Sequence, residues 1–185
     1  MKRIDAQVSW VKPSNIHLTL KFLGPVPQDK IQRVCDAAAR AGGATGPIEI
    51  TIARAGCFPS ARNPRVLWIG LREVPDDLKR LYEATEDEMA GCGFEREGRR
   101  FAPHLTIGRM RSQHNARPLS ERLLLTGFEA ESFEAREITV MRSDLKPTGS
   151  IYTPLAVVSL GTRDSSDSKS PVASEEGEVG DARNF

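Results

Sequence analysis

The fold is decided by an alternating stretch near the start of the chain, Ile16-His17-Leu18-Thr19-Leu20-Lys21-Phe22-Leu23. Alternation of apolar and polar side chains is typical of a half-buried β-strand, so residues 16–23 are predicted to form one. Side chains two positions apart in a strand share a face. His17 and Thr19 are therefore predicted to point to one side of a sheet, and Leu18 and Leu20 to the core.

The same tetrapeptide pattern occurs a second time, as His104-Leu105-Thr106-Ile107. Each copy follows a proline-containing segment, and the chain has only three histidines. Repetition of both the histidine and the threonine favours a function for these positions over an ordinary polar strand face. The third histidine, His114, lies in a polar stretch and is predicted to be a solvated loop residue.

Two such strands side by side would place two imidazoles and two hydroxyls on one surface, which suits a phosphodiester substrate. One imidazole can activate the attacking group and the other can protonate the leaving oxygen, because histidine ionises near neutral pH. The hydroxyls of Thr19 and Thr106 can donate hydrogen bonds to non-bridging phosphate oxygens. No cluster of carboxylates accompanies the motifs, so we expect neither a metal nor a cofactor.

The rest of the chain alternates between helical and strand patterns, which predicts an α+β fold of about six strands and two or three helices. Helices are predicted at 28–41, 75–90 and 117–125, and strands at 48–54, 65–71, 103–107, 132–142 and 150–160. Residues 1–163 are expected to form one domain. Residues 164–185 are rich in Ser, Asp, Glu and Gly and are predicted to be a disordered tail.

Composition limits the possible partners and surroundings. The formal net charge of +1 gives no global attraction to nucleic acid, so RNA would need a local basic patch. The best candidate is the stretch that contains Arg96, Arg99 and Arg100. The chain has neither an apolar run of membrane-spanning length nor a signal-peptide pattern, and its three cysteines are widely spaced. We therefore expect a reduced, cytoplasmic protein.

Five further side chains are candidates for the site or the core. Arg109 directly follows the second motif and could either contact phosphate or point to solvent. Phe58 could stack on a base, although core packing is favoured for it. Trp10 and Trp68 are expected in the core, and the role of Tyr152 stays open.

Residues 10–24, 64–71 and 101–109 together resemble the two-histidine (2H) phosphoesterase superfamily, whose signature is a pair of H-x-[ST]-x motifs. Within it, the chain most resembles RNA 2′,3′-cyclic phosphodiesterases, also described as 2′-5′ RNA ligase-like proteins, over about residues 10–160. The resemblance implies a bilobal fold with a pseudo-two-fold axis, in which antiparallel sheets surround a central cleft. Each lobe would contribute one histidine motif to that cleft.

The resemblance also implies an activity and the residues that perform it. RNA ends carrying a 2′,3′-cyclic phosphate would be hydrolysed to a 2′-phosphomonoester. His17 would be the proton donor and His104 the proton acceptor, while Thr19 and Thr106 would contact the phosphate. From the residues themselves, we also count Arg109 among the candidate substrate contacts and expect a metal-independent monomer. A 2′-5′ RNA ligase, or a non-catalytic module that binds RNA ends or nucleotides, remains an alternative.

One departure from the family concerns the first lobe. Family members usually begin with an additional strand and helix, whereas only sixteen residues precede His17 here. The first lobe is therefore expected to lack its N-terminal strand and helix and to expose apolar surface.

Overall fold

The computed structural model describes residues 4–146 and 149–161, so the predicted tail at 164–185 lies outside the described residues. An α+β architecture is present, as predicted. The strands are β1 (Val8–Trp10), β2 (Ile48–Phe58), β3 (Val66–Leu71), β4 (His104–Met110), β5 (Glu131–Ala135), β6 (Glu137–Lys146) and β7 (Gly149–Ser159). The helices are α1 (Ile31–Gly43), α2 (Asp76–Gly91) and α3 (Ala116–Leu125), and short 3₁₀ turns cover Pro13–Asn15 and Gln28–Lys30.

The strands form two antiparallel sheets. Five of them make a sheet in the order β1-β4-β3-β2-β5, and β6 and β7 form a separate hairpin. Helix α1 packs on the hairpin, and Gly42 allows the close approach because a Cβ there would meet Val158 at 2.8 Å. Met141, Ile151 and Val157 of the hairpin are exposed, so the smaller sheet presents apolar surface to solvent.

The three predicted helices are confirmed to within a few residues. Helix α2 begins with Asp76 and Asp77, whose negative charges are favourable near the positive end of the helix dipole. It buries Leu78 and Leu81, as the spacing of its apolar residues predicts.

Two strand predictions are wrong in detail. Residues 16–23 do not form a strand, because only Leu18 makes a backbone bridge, to Leu105 of β4. The alternation in this segment reflects the packing of Leu18 and Leu20 against the core rather than a continuous ladder. Predicted strand 132–142 is two strands, since β5 pairs with β2 and β6 pairs with β7.

The core consists of two clusters. The first lies between α2 and the larger sheet and contains Ile48, Ile50, Leu71, Leu78, Leu81 and Leu160. The second joins α1, α2 and the hairpin and contains Val34, Ala37, Ala38, Met89 and Cys92. Trp10 belongs to neither cluster and is 60 % exposed, because β1 is an edge strand; its prediction as a core residue was wrong. Among the described residues, no helix is long and apolar enough to cross a membrane.

Candidate active site

The single bridge between Leu18 and Leu105 brings the two histidine motifs together. It is antiparallel, so its register sets His17 opposite Thr106 and Thr19 opposite His104. Leu18 packs against the core, and Leu105 is paired with Ile69 on the sheet face opposite Trp68, so the register leaves the four polar side chains on the other face. Directly opposed side chains in a sheet lie about 5 Å apart and diagonal ones about 7–8 Å apart. The register therefore implies that the two imidazoles occupy diagonal corners, a spacing that one phosphate group can bridge.

Both histidines are oriented in the same way. Nδ1 of His17 lies 2.8 Å from the carbonyl oxygen of Asn15, and Nδ1 of His104 lies 2.8 Å from that of Ala102. A carbonyl can only accept, so each Nδ1 carries the hydrogen. In the neutral ring, the lone pair is then on Nε2, which is the atom left for acid–base chemistry. The shared contact with the residue two positions earlier reflects the repetition of the motif.

Each imidazole also contacts one aromatic ring edge-on. Tyr152 of β7 lies 5.1 Å from His17 between ring centroids, and Phe58 of β2 lies 5.0 Å from His104. A further ring, that of Trp68, lies near His104, with 6.1 Å between the ring centroids. Phe58 is therefore beside the candidate catalytic histidine and partly exposed, rather than in the core.

The larger sheet has one face turned to this site, here called the cleft face and defined by Arg54, Phe58, Trp68, Gly70 and His104. The ring of Trp68 lies over Gly56 and Gly70, since a Cβ at Gly70 would meet it at 2.8 Å. Its Nε1 is buried without a hydrogen-bond partner among the described residues. Trp68 thus packs against the site, and not within either core cluster.

A β-bulge in β4 brings Arg109 to the same face. The register with β3 shifts between Leu67 and Trp68, and Val66 is paired with Arg109. Val66 and Trp68 are two positions apart and share a face, so Arg109 lies on the cleft face too. It is exposed, and within residues 4–146 and 149–161 its side chain has no hydrogen bond or ion pair.

An enclosed ion pair joins the segment after the first motif to α2, and the sequence analysis missed it. Nζ of Lys21 donates to both carboxylate oxygens of Glu86, each at 2.8 Å, and to the carbonyl oxygen of Glu95, also at 2.8 Å. Glu86 further accepts the backbone N–H of Glu97 at 2.9 Å. The available signal was the polar position of Lys21 in an otherwise alternating, core-packing stretch.

The predicted basic patch before the second motif is largely neutralised. Arg96 pairs with Glu83 and Asp87, and Arg99 pairs with Glu97, whose pKa these hydrogen bonds hold below the usual value. These side chains border a cavity of about 730 Å³ that neither motif histidine lines. Of the three predicted arginines, Arg100 is the one whose side chain makes no hydrogen bond in the part of the chain that the structure describes.

Other site predictions concern residues that could be reactive or bind metal. His114 is exposed, as predicted, and lies 3.0 Å from the side-chain amide of Asn115. The cysteines are free, and burial raises the pKa of the Cys57 thiol. The described residues contain no group of three His, Cys, Asp or Glu side chains arranged to hold a metal ion.

An α+β fold that brings two His-x-Thr motifs together defines the class of 2H phosphoesterases. Within that class, the family model described as the 2′-5′ RNA ligase superfamily matches residues 9–147, and the chain belongs to this superfamily. Several relatives are named RNA 2′,3′-cyclic phosphodiesterase. The one from Methanothermobacter thermautotrophicus is 38 % identical over 161 residues, covering 86 % of each chain. The one from Thermotoga maritima is 36 % identical over 152 residues, covering 80 % of this chain and 76 % of its own.

Solved structures agree with the fold. Escherichia coli LigT complexed with 3′-AMP is 27 % identical and superimposes with a TM-score of 0.63, covering 82 % of this chain and 80 % of its own. TT0787 of Thermus thermophilus superimposes with a TM-score of 0.69 over 84 % of each chain, at 22 % identity, and supports the fold alone. The predicted fold class is thereby confirmed.

Proposed function

We propose that the protein is an RNA 2′,3′-cyclic phosphodiesterase that produces a 2′-phosphomonoester. The observation that carries this proposal is the antiparallel bridge between Leu18 and Leu105, which sets the two histidine motifs against each other. The relatives with this name, at up to 38 % identity over most of the chain, support the substrate class.

In the proposed reaction, His104 acts as the base and His17 as the acid. His104 accepts a proton from water at Nε2, and the water oxygen forms a new bond to phosphorus. The bond between phosphorus and the 3′ oxygen breaks, and His17 gives that oxygen a proton from Nε2. Diagonal placement suits this displacement, because attacking and leaving oxygens lie on opposite sides of phosphorus.

The remaining site residues would stabilise the charge on the phosphoryl oxygens. The hydroxyls of Thr19 and Thr106 are adjacent to the histidines and can donate hydrogen bonds to these oxygens. Arg109, on the cleft face, can donate charge-assisted hydrogen bonds to the same group. The proposal needs no metal ion and no cofactor.

Hydrolysis of a cyclic-phosphate-ended oligonucleotide in the presence of EDTA tests the activity. The His17→Ala and His104→Ala variants are each expected to lose about 100-fold or more in kcat, the usual contribution of a general acid or base. His114→Ala is the matched control, because His114 is exposed and lies in the turn after β4, outside both motifs; it should retain full activity. Unchanged turnover in either motif variant would remove that histidine from the mechanism.

Product analysis separates this activity from the alternatives. A 2′-phosphate product in EDTA supports the hydrolase, whereas joining of paired RNA halves would indicate a 2′-5′ RNA ligase. Binding of the cyclic end without any product would indicate a non-catalytic module. We further propose that the enzyme acts in the cytoplasm, on the basis of its free cysteines and its RNA substrate, and that it is a monomer, which the elution volume in size-exclusion chromatography would test.

A further inference from the structure

Arg54 of β2 is an exposed arginine on the cleft face. The register pairs Arg54 with Gly70 of β3, and Gly70 with His104 of β4. These three residues therefore form one row across the sheet. A Cβ at Gly70 would lie 3.8 Å from the Cβ of Arg54, so the Arg54 side chain leaves the sheet on the same side as the site.

Gly70 leaves the middle of this row without a side chain. Neighbouring strands lie about 4.8 Å apart, so the backbones of Arg54 and His104 are about 10 Å apart. The ring of Trp68 covers part of the space above Gly70. A ligand that reaches from His104 to Arg54 would therefore pass over the Trp68 ring on the same face of the sheet.

The charge of Arg54 is available to a ligand. Several other arginines of this chain have a carboxylate partner, such as Arg40 with Glu88 and Arg80 with Asp77. Among the residues that the structure describes, the Arg54 side chain has neither a hydrogen bond nor an ion pair. With a net charge of only +1, the protein has no general attraction for polyanions, so the cleft-face arginines without a partner among the described residues, Arg54 and Arg109, are the local cations open to an anion.

We propose that Arg54 binds the first backbone phosphate on the 5′ side of the cyclic end, which makes the enzyme selective for oligonucleotides over mononucleotides. A 2′,3′-cyclic phosphate closes the 3′ end of a strand, so the rest of the RNA continues in the 5′ direction only. The nearest further anion is the phosphate on the 5′ oxygen of the terminal nucleoside. With the cyclic phosphate at His17 and His104, Arg54 lies where a guanidinium can reach this second phosphate. This inference rests on the proposed function.

Three substrates test the contact. They are a nucleoside 2′,3′-cyclic phosphate, the same compound with a 5′-phosphate, and a dinucleotide with a cyclic end. Arg54→Met should lower kcat/KM about 5- to 10-fold for the two compounds with a second phosphate, mainly through KM, and leave the first within 2-fold. For the dinucleotide, the slope of log KM against log salt concentration should fall by about 0.7, the value for one lost phosphate contact with a single strand. Arg80→Met, which removes the same charge from α2 on the opposite side of the sheet, should behave as wild type.

Equilibrium binding of the dinucleotide 2′-phosphate product tests the contact without turnover. Arg54→Met should weaken this binding by the same 5- to 10-fold, and should not change binding of the mononucleoside 2′-phosphate. An equal loss for all ligands, or no loss for any, would overturn the role of Arg54. Absence of turnover in the wild-type protein would instead refute the proposed function. The product-binding measurement would still show whether Arg54 contacts the second phosphate.

Discussion

Replacing Lys21 with methionine is expected to destabilise the protein by about 3–5 kcal/mol, because it leaves a carboxylate enclosed without its cation. The side chains of Lys21 and Glu86 are only 7 % and 2 % exposed. Methionine retains most of the volume of lysine, so the packing changes little. The carboxylate of Glu86 would lose both hydrogen bonds from Lys21 and retain the one from the backbone N–H of Glu97.

The expected loss is a large part of the stability of an ordinary domain, which is about 5–15 kcal/mol. For a chain of this size, each kcal/mol lowers Tm by about 2–4 °C, so Lys21→Met should lower Tm by about 10 °C. Adding Glu86→Gln should recover roughly half of the loss. The amide removes the uncompensated charge and its oxygen can still accept the Glu97 N–H.

Urea unfolding followed by circular dichroism measures these differences directly. The control is Arg40→Met, which breaks the exposed pair between Arg40 and Glu88 that also joins two elements. Such a pair contributes little, so its loss should leave the urea midpoint almost unchanged. If Lys21→Met shifts the urea midpoint no more than Arg40→Met does, the enclosed Lys21–Glu86 pair contributes no more to stability than an exposed pair. A double variant no more stable than Lys21→Met would contradict the buried-charge explanation.

Three further outcomes follow from close packing and burial. Gly56→Ala should destabilise the protein by about 1–3 kcal/mol and reduce activity, since its Cβ would lie 2.2 Å from the Trp68 ring. Gly43→Ala is the control, because a Cβ there has free space and should be tolerated. Equal unfolding curves for the two variants would contradict this reasoning. Ser120→Ala should cost about 1 kcal/mol in urea unfolding, because the fully buried hydroxyl can donate its one hydrogen to the carbonyl oxygen of Ala61 or of Arg117. No loss would show that this hydrogen bond is dispensable. Burial raises the pKa of Cys57, so the pH midpoint of its alkylation by iodoacetamide should lie above that of a free thiol. The stability gained by burying the neutral thiol is full below the pKa of Cys57 in the unfolded chain and is lost as pH rises through the raised pKa of the folded protein.

Local patterns predicted much of this molecule because they record local physics. Helices α1, α2 and α3 were predictable from the spacing of apolar residues and from their flanking glycines, prolines and acids. The break at Arg136 was not, because β5 and β6 continue one strand-like pattern and only their different partners separate them. Trp10 was misassigned for a similar reason, since sequence does not show that β1 is an edge strand.

By itself, the sequence determined the candidate chemistry of the site, because the repetition of His-x-Thr at His17 and His104 indicates the proposed acid and base. The tertiary structure alone decided how these groups meet, through one bridge between Leu18 and Leu105 in place of the expected strand. It also decided which arginines are ion-paired, since Arg96 and Arg99 bind acids on α2 and in the loop after it, whereas Arg54 has no such partner within residues 4–146 and 149–161. Ion pairing and strand register depend on residues far apart in the chain, and a local pattern holds no record of them.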